Sequence, residues 1–366
     1  MSCHPFPALQ LDPNPVWRSY QGGQALRAFR GQPGTPDDHF PEDWLASTVL
    51  ARNGDNSQSA LEGLSRISEA DSSPLVELLK QRPEFWFGPD QAASRDSPVP
   101  GVLWKLLDSS VRLQVQAHPD AGFARRHLNS QTGKTECWYI LGTRDKGYVY
   151  LGFQHPPTRE AWGRMIREQR VDEMLGCFDR IPVQPGDCLV VPAGTPHAIG
   201  AGIFMMELME PTDWVVRCET TNAGLSLRPE VCFLGLDLET CLEVFDYRAY
   251  SVAEVRRTFQ QSSRELVHTS AYCEEELIEP AYHNYFRLHR LRGRGDGRWP
   301  GGELMLLIAV KGKGMLSSDE QRQPVRAGQT LLLPGAAQLW NWMQPAGDWE
   351  ILLARLPVVQ SSSGHG

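Results

Sequence analysis

The segment Gly186–Arg217 constrains the fold more than any other part of the chain. It begins with Gly186, and after five residues follow Pro192, one residue, Gly194, two residues and His197. This spacing predicts a strand, a tight turn and a second strand, because glycine and proline supply the dihedral angles of turns. Alternate residues of a strand face the same side, so His197 is expected to point into the mouth of a β-barrel.

Three further candidate metal ligands lie upstream of this segment. Gln116 and His118 belong to an alternating run that begins at Val111, so they share one face of a strand and lie about 6–7 Å apart. Glu136 opens another segment with strand character. One amide oxygen, two imidazole nitrogens and one carboxylate suit Zn²⁺, with Fe²⁺, Mn²⁺ or Co²⁺ as alternatives. A set without thiolates favours an open site that keeps a water molecule.

Each candidate ligand also has a purely structural interpretation. A single histidine near a turn is most often a hydrogen-bonded structural residue, glutamine is an uncommon ligand, and Glu136 could pair with Lys134. The joint occurrence of these residues with the Gly-Pro-Gly-His spacing favours the metal site. The other eight histidines have no comparable spacing and are interpreted as surface or core residues.

Composition limits the function classes. A chain of 366 residues usually contains two domains, and a net charge of −8 argues against nucleic acid as a partner without excluding a small anionic substrate. The eight cysteines include no Cys-x-x-Cys pair and lie mostly in apolar runs, which is typical of a reducing compartment. No signal peptide is recognised, and the longest apolar run, Leu304–Val310, is too short to cross a membrane. We therefore expect a cytoplasmic protein that is a monomer or homodimer.

The pattern predicts a mainly β protein with inserted helices. Helical spacing occurs over 59–85, with a break at Asp71–Pro74, over 120–130 and over 158–178, and residues 222–264 are interpreted as short elements and a linker. Short strands follow from about 270, where Gly328 and Pro334 repeat the spacing of Gly186 and Pro192. The repeat predicts a catalytic domain over 1–264 and a degenerate one over 265–366, where Leu339 replaces His197 and no metal ligands remain. The tail Gln360–Gly366 is expected to fray.

The His197 motif is typical of cupins, so we expect two cupin-type jelly-roll (double-stranded β-helix) barrels. Within cupins, the sequence resembles the class I, zinc-dependent mannose-6-phosphate isomerases. The matching segments, in the family's order, are Tyr20–Gly23 with Leu26, Glu42–Trp44 with Ser47, Leu106–Asp108, Leu113–Pro119, Gly133–Leu141, Pro192–Gly200, and Glu207 through Asp213 to Arg217. The most specific of them are Gln-x-His-Pro, at Gln116–Pro119, and Lys-x-Glu-x-Trp, at Lys134–Trp138.

The resemblance implies that Gln116, His118, Glu136 and His197 bind one zinc ion. It also implies that Arg217 is the active-site arginine, with Lys134 and Asp213 close to the substrate, and Lys105 matches a lysine of the family. The implied activity is aldose–ketose isomerisation of mannose 6-phosphate and fructose 6-phosphate through an enediolate. Such a reaction needs a Lewis acid, an acid/base group and a cation for the developing negative charge. We expect Arg217 to supply that cation.

Several points stay open in the sequence. Lys134 or Glu207 is the expected proton carrier, and the alternative for Glu207 is a salt bridge to Arg217. Lys105, Lys134 and Arg228 are the candidates for binding a phosphate. Three stretches depart from the family: Asp43 stands in place of its usual serine, and Met209–Pro211 and Cys218–Asn222 also differ. An added acid near the mouth could disfavour a phosphate, so an isomerase of a different sugar or sugar phosphate is an alternative. A non-catalytic sugar-binding cupin and a metal-dependent oxygenase are further alternatives.

Overall fold

The computed structural model describes residues 8–67, 73–95, 97–318, 321–343 and 347–358. Within these residues the strands are β1 (Leu9–Gln10), β2 (Pro15–Val16), β3 (Glu42–Leu45), β4 (Leu103–Ser109), β5 (Gln116–Ala117), β6 (Glu136–Thr143), β7 (Tyr148–Leu151), β8 (Ile181–Pro182), β9 (Cys188–Val191), β10 (His197–Ile199), β11 (Ile203–Met209), β12 (Val216–Arg217), β13 (Thr221–Asn222), β14 (Leu225–Ser226), β15 (Arg264–His268), β16 (Tyr272–Glu276), β17 (Arg287–Gly293), β18 (Gly297–Pro300), β19 (Met305–Lys311), β20 (Lys313–Ser318), β21 (Gln321–Arg326), β22 (Thr330–Leu333), β23 (Leu339–Met343) and β24 (Trp349–Arg355).

Short helices connect the strands. The α-helices of the described residues are α1 (Gln24–Phe29), α2 (Leu75–Gln81), α3 (Pro83–Phe87), α4 (Pro89–Ala93), α5 (Ala121–His127), α6 (Arg159–Arg167), α7 (Val171–Leu175), α8 (Pro229–Cys232), α9 (Leu238–Cys241) and α10 (Val252–Phe259). Three 3₁₀-helices of the same residues span Gly54–Asn56, Leu242–Val244 and Pro280–Tyr282. The expected mainly β fold is confirmed.

Two antiparallel sheets form the first barrel. One has the strand order β2-β3-β4-β11-β6-β9 and the other the order β12-β5-β10-β7-β8. Apolar side chains from both sheets, among them Leu107, Trp138, Leu151 and Ile199, form one buried cluster between them. The cavity described below opens at one end of this cluster, so the rigid sheets position the side chains that line it.

The second barrel contains sheets of order β1-β22-β19-β24-β17-β16-β15 and β18-β23-β20-β21. Its interior is filled by large side chains that include Trp299, Trp340, Trp342 and Trp349. At the position that corresponds to His197 by the spacing repeat, Leu339 opens β23. Gly186 and Gly328 both have positive φ angles, of 94° and 87°, so the two copies share the turn before the strand.

The two barrels share a core. Met206 and Leu208 of β11 pack in the same buried cluster as Leu306 of β19 and Leu352 of β24. Strand β11 is buried along its whole length because its other face lines the first barrel. Near the N-terminus, β1 pairs with β22 of the second barrel, with Leu9 opposite Leu332. Residues 9 and 10 thus belong to a sheet of the second half, although the sequence analysis assigned them to the first domain.

Two expected helices need correction. Residues 59–67 form turns rather than a helix, because Gly63 has a φ of 93° and Ser65 N donates a hydrogen bond to Ser47 O. The helix expected after the break is confirmed, since α2 begins at Leu75 with Pro74 as its N-cap. Asp71 and Ser72 of the expected break lie outside the described residues, as does the tail from Gln360. The predicted helix over 158–178 is interrupted at Gln169, whose φ is 50°.

The expected linker, residues 222–264, packs against the first barrel. Val255 and Phe259 of α10 belong to the buried cluster inside that barrel, and Cys232 and Leu242 are also buried. Their apolar side chains explain why this segment folds onto the barrel rather than spanning a gap between domains. No helix among the described residues is both long enough and apolar enough to cross a membrane.

Candidate metal centre and active-site cavity

Strand register brings three of the sequence-predicted residues into one row. On neighbouring antiparallel strands, Gln116 of β5 lies opposite His197 of β10 on one side and opposite Arg217 of β12 on the other. Side chains directly opposite each other in a sheet project to the same face. Gln116, Glu136 and Arg217 all line one cavity, and His197 is fully buried beside Gln116.

The four predicted ligands converge beside this cavity, which Gln116 and Glu136 line. Nitrogen and oxygen atoms of His118, Glu136 and His197 lie within 4.8 Å of one another, and all three residues are buried. The distance from His118 Nε2 to Glu136 Oε1 is 3.0 Å, and from His197 Nε2 to Glu136 Oε2 it is 3.8 Å. The side-chain amide of Gln116 lies 3.2 Å from His197 Nε2. Rotation of that amide exchanges its nitrogen and oxygen, so Gln116 can offer Oε1 at this place.

Backbone carbonyls fix the orientation of both imidazoles. His118 Nδ1 donates to Trp214 O and His197 Nδ1 donates to Thr195 O, each at 2.8 Å. The Nε2 lone pairs are therefore left for another partner, which is the arrangement found around protein-bound metals. Burial lowers the pKa of both histidines, that of His197 to about 3, so both rings are neutral at pH 7.

Glu136 provides the negative charge of the cluster. Burial favours a higher pKa, but His118 and Lys134 outweigh it and hold the pKa of Glu136 well below its ordinary value. Lys134 Nζ donates to Glu136 Oε1 at 2.7 Å, and Trp138 Nε1 donates to Glu136 Oε2 at 3.2 Å. Two neutral imidazoles, an ionised carboxylate and an amide fit a divalent cation of the zinc type.

Glu207 faces the cavity from β11. Its direct neighbours in the sheet are Lys105 of β4 and Trp138 of β6. Lys105 Nζ lies 2.7 Å from Glu207 Oε2, close enough for an ion pair although not aligned as a hydrogen bond, and Trp138 Nε1 donates to Oε1 at 3.3 Å. The alternative considered from the sequence, a salt bridge to Arg217, is therefore wrong: the partner of Glu207 is Lys105. Burial raises the pKa of Glu207 to about 8, and the nearby Glu136 adds to the rise.

Glu42 is the centre of a buried network that the sequence analysis did not assign to the site. Its carboxylate accepts hydrogen bonds from Arg18 Nε at 2.9 Å, Tyr20 OH at 2.5 Å, Trp44 Nε1 at 2.7 Å and Lys105 Nζ at 3.2 Å. Burial favours a raised pKa, but Arg18 and Lys105 outweigh it and hold the pKa of Glu42 far below its ordinary value. Glu42 belongs to the segment Glu42–Trp44 that matches the family, so the resemblance could have identified it as a site residue.

Asp213 connects this network to the rim of the cavity. Both oxygens of its carboxylate accept from Arg18, at 3.2 Å each, and Oδ2 also accepts from the backbone nitrogen of Arg52 at 2.8 Å. Asp213 and Lys105 are thus tied to neighbouring protein groups while they line the cavity. No sequence signal pointed to Arg18, because it lies 195 positions from Asp213 along the chain and only the fold brings the two residues together.

Arg217 lines the cavity and is partly buried. Within the described residues it has no carboxylate within 4.0 Å, although Asp213 exerts a weaker attraction. Burial lowers the pKa of Arg217 below its ordinary value, but a guanidinium stays protonated at pH 7. The group can therefore direct its donors at a ligand rather than at a protein carboxylate.

The acidic residues that seemed to disfavour a phosphate do not line the cavity. Glu210 accepts from Thr135 N at 2.8 Å, and Glu219 forms a two-pronged pair with Arg112 at 2.7 Å. Arg228, considered for phosphate binding, is exposed and pairs with Asp55 at 2.8 Å. A second cluster of metal-ligating side chains, formed by Glu265, His268 and Cys273, lies on the exposed hairpin β15–β16.

The sequence is similar to those of known mannose-6-phosphate isomerases. The chain is 32% identical to the mannose-6-phosphate isomerase ManA of Bacillus subtilis over 237 residues, which is 64% of this chain and 69% of that protein. It is 28% identical to the mannose-6-phosphate isomerase of Streptococcus mutans over 280 residues, 76% of this chain and 79% of that protein. No protein-family model matches the sequence.

Solved structures support the fold independently. The crystal structure of the mannose 6-phosphate isomerase from Bacillus subtilis superimposes with a TM-score of 0.73, covering 95% of this chain and 99% of the other at 19% identity. The phosphomannose isomerase from Salmonella typhimurium gives a TM-score of 0.67 over 96% of this chain and 100% of the other, at 15% identity. By sequence and by fold, this chain belongs to the mannose-6-phosphate isomerase family.

Proposed function

We propose that this protein is a metal-dependent aldose–ketose isomerase that interconverts mannose 6-phosphate and fructose 6-phosphate. The observation that carries the proposal is the convergence of His118, Glu136 and His197 beside a cavity that both Glu136 and Arg217 line. A non-catalytic sugar-binding protein would need neither the neutral imidazole pair nor a buried acid at the same point. The family membership supports the same activity.

The cofactor we propose is one Zn²⁺ ion per chain, held in the first barrel by Gln116, His118, Glu136 and His197. The donor set of nitrogen and oxygen atoms and the fixed Nε2 lone pairs support it. When bound, such an ion supplies Lewis acidity toward the oxygens of the substrate. The interior of the second barrel is filled by tryptophan side chains and serves as packing support. The metal-ligating cluster that its described residues contain, Glu265, His268 and Cys273, lies on the exposed hairpin β15–β16 and not inside the barrel.

Glu207 is the residue best suited to carry the proton between C1 and C2. Its pKa of about 8 means that both protonation states are accessible near neutral pH, which is what proton transfer in both directions requires. Lys105 and Trp138 fix the orientation of the carboxyl group. Lys134, the other candidate, is held by Glu136 at 2.7 Å, so its role is to orient that carboxylate and to add positive charge to the site.

Arg217 stabilises the negative charge that develops on the enediolate. It is a permanent cation, and within the described residues no carboxylate competes for its donors inside 4.0 Å. Hydrogen-bond donors that already point to where the charge develops stabilise the transition state most, because they need no rearrangement. The other residues at this end hold the reacting atoms away from bulk water.

Turnover of mannose 6-phosphate by the purified, Zn²⁺-loaded protein tests this proposal. We expect conversion to fructose 6-phosphate that is abolished by a chelator, restored by Zn²⁺ and lowered about 10²- to 10³-fold in kcat by Arg217→Ala. Arg167→Ala, on the exposed face of α6, is the matched control and should be unaffected. Binding of the sugar without turnover would identify a binding protein instead, and turnover of another aldose alone would move the assignment to that sugar.

A further inference from the structure

The mouth of the cavity carries a cation that the chemistry described above does not use. Arg52 is exposed in the segment after β3 and lines the same cavity as Gln116, Glu136 and Arg217. No sequence signal pointed to Arg52, because it lies in a loop without a recognised motif. Its position raises the question of which anion it binds.

Both the backbone and the guanidinium of Arg52 are held in place by neighbouring residues. Its backbone nitrogen donates to Asp213 Oδ2 at 2.8 Å, and its guanidinium stacks on the ring of Trp214 with Cζ 3.8 Å from the ring centroid. Trp214 is itself anchored, since its carbonyl accepts from His118 Nδ1. A stacked guanidinium keeps its edge donors directed outward in one plane, which matches the oxygens of a phosphate.

Among the described residues, no carboxylate pairs directly with this guanidinium, although Asp213 attracts it from a greater distance. Within the described residues, no acidic oxygen lies within 4.0 Å of it, and Asp213 already receives both terminal nitrogens of Arg18. The other cations that line the cavity, apart from Arg217, are paired: Arg18 with Glu42 and Asp213, Lys105 with Glu42 and Glu207, and Lys134 with Glu136. Arg52 is therefore available for an anionic group at the entrance.

The charge of the cavity also favours an anion. Among the described lining residues there are five cationic side chains, Arg18, Arg52, Lys105, Lys134 and Arg217. The acidic ones are Glu42, Glu136, Glu207 and Asp213, which leaves a net charge of +1 when all are ionised. The whole chain has a net charge of −8, so the cavity is locally positive on an acidic protein. Such a local field attracts a phosphorylated ligand in preference to a neutral sugar.

We propose that Arg52 binds the phosphate group of the substrate and thereby selects phosphorylated over unphosphorylated sugars. This inference rests on the proposed isomerase function for the identity of the sugar. The phosphate lies at the mouth, against Arg52, while the reacting carbons lie inside against Arg217 and Glu207. The exposure of Arg52 is consistent with this arrangement, since a phosphate can remain partly hydrated.

The test uses Arg52→Gln and Arg52→Lys in the full-length, Zn²⁺-loaded protein. With Arg52→Gln we expect KM for mannose 6-phosphate to rise about 10-fold while kcat changes less than about 3-fold, because a uniform binding contact is lost. Arg52→Lys should recover part of the affinity, since it keeps the charge but not the planar pair of donors. Arg167→Gln, on the exposed face of α6, controls for the loss of one arginine.

Calorimetric titration with inorganic phosphate separates this inference from the proposed function. We expect the affinity of the wild type for phosphate to fall about 10-fold in Arg52→Gln, whether or not the protein turns over mannose 6-phosphate. Equal phosphate affinities in the two proteins, or no phosphate binding by the wild type, would overturn the inference. A variant that lowers kcat and leaves both KM and phosphate affinity unchanged would also overturn it, because Arg52 would then act only on the shape of the site.

Discussion

Replacing Glu42 by glutamine tests whether the buried charge network beside the site is ionised and stabilising. The carboxylate accepts from Arg18, Tyr20, Trp44 and Lys105 and has an exposed fraction of 2%. Breaking a buried ion pair by removing one partner costs about 3–5 kcal/mol. Both cations keep a second carboxylate, Asp213 for Arg18 and Glu207 for Lys105, so we expect the lower end, about 3 kcal/mol.

Thermal unfolding at one scan rate measures this change. At about 2 °C for each kcal/mol in a chain of this size, Glu42→Gln should lower Tm by about 6 °C. Glu239→Gln is the matched control, because Glu239 is exposed and forms only a surface pair with Arg167, so its Tm should stay within about 1 °C of the wild type. A Glu42→Gln variant as stable as the wild type at pH 7 would refute the reasoning.

The pKa of Glu42 also determines how the Tm difference between the wild type and Glu42→Gln changes with pH. The folded-state pKa of Glu42 lies far below its ordinary value of 4.5, so the unfolded chain binds the proton more readily. The stabilisation by Glu42 is therefore fully present above pH 5 and is lost progressively as the pH falls below about 4.5. The Tm difference between wild type and Glu42→Gln should shrink between pH 5 and pH 3. A difference that grows on acidification would contradict an ionised Glu42.

Three further predictions concern the proton carrier and the two barrels. Glu207→Gln should lower kcat at least about 10²-fold with little change in KM, as measured by steady-state isomerisation, because the amide cannot transfer the proton. Leu306→Ala should destabilise the protein by about 2–5 kcal/mol in urea and shift a single transition reported by probes in both halves, since Leu306 is buried in their shared core. Two separate transitions would show independent domains. Leu339→His should leave the metal content of the protein unchanged, because one imidazole on the rim of the second barrel finds no partners comparable to Glu136.

The sequence predicted the fold class because its signals are local. The turn between Pro192 and His197 depends on residues close in the chain, and His197 opens β10 as expected. The alternating run from Val111 was a weaker signal, because only Gln116 and Ala117 of that run form a strand, β5. The spacing repeat at Gly328 likewise identified the second barrel. By contrast, the helical spacing of Leu61 and Leu64 was misleading, because hydrogen bonds to residues 47–51 hold this segment in turns.

The parts of the site that the sequence missed depend on contacts between distant segments. Arg18 meets Asp213 across 195 positions, and Arg52 stacks on Trp214 from a loop without a motif. The pairing of Glu207 with Lys105 follows from strand register, which places these residues opposite each other on β11 and β4. Register is not encoded in the spacing of either strand alone, so the sequence left the partner of Glu207 open.

The X-ray absorption spectrum of the metal in the purified protein tests the central claim most directly. If Gln116, His118, Glu136 and His197 hold one zinc ion, the spectrum should contain only nitrogen and oxygen donors at about 2.0–2.1 Å, two of them imidazoles, for about one ion per chain. His197→Ala should lose most of that ion. A sulfur donor at about 2.3 Å would instead assign the ion to the exposed Glu265, His268 and Cys273 cluster and contradict the proposed centre.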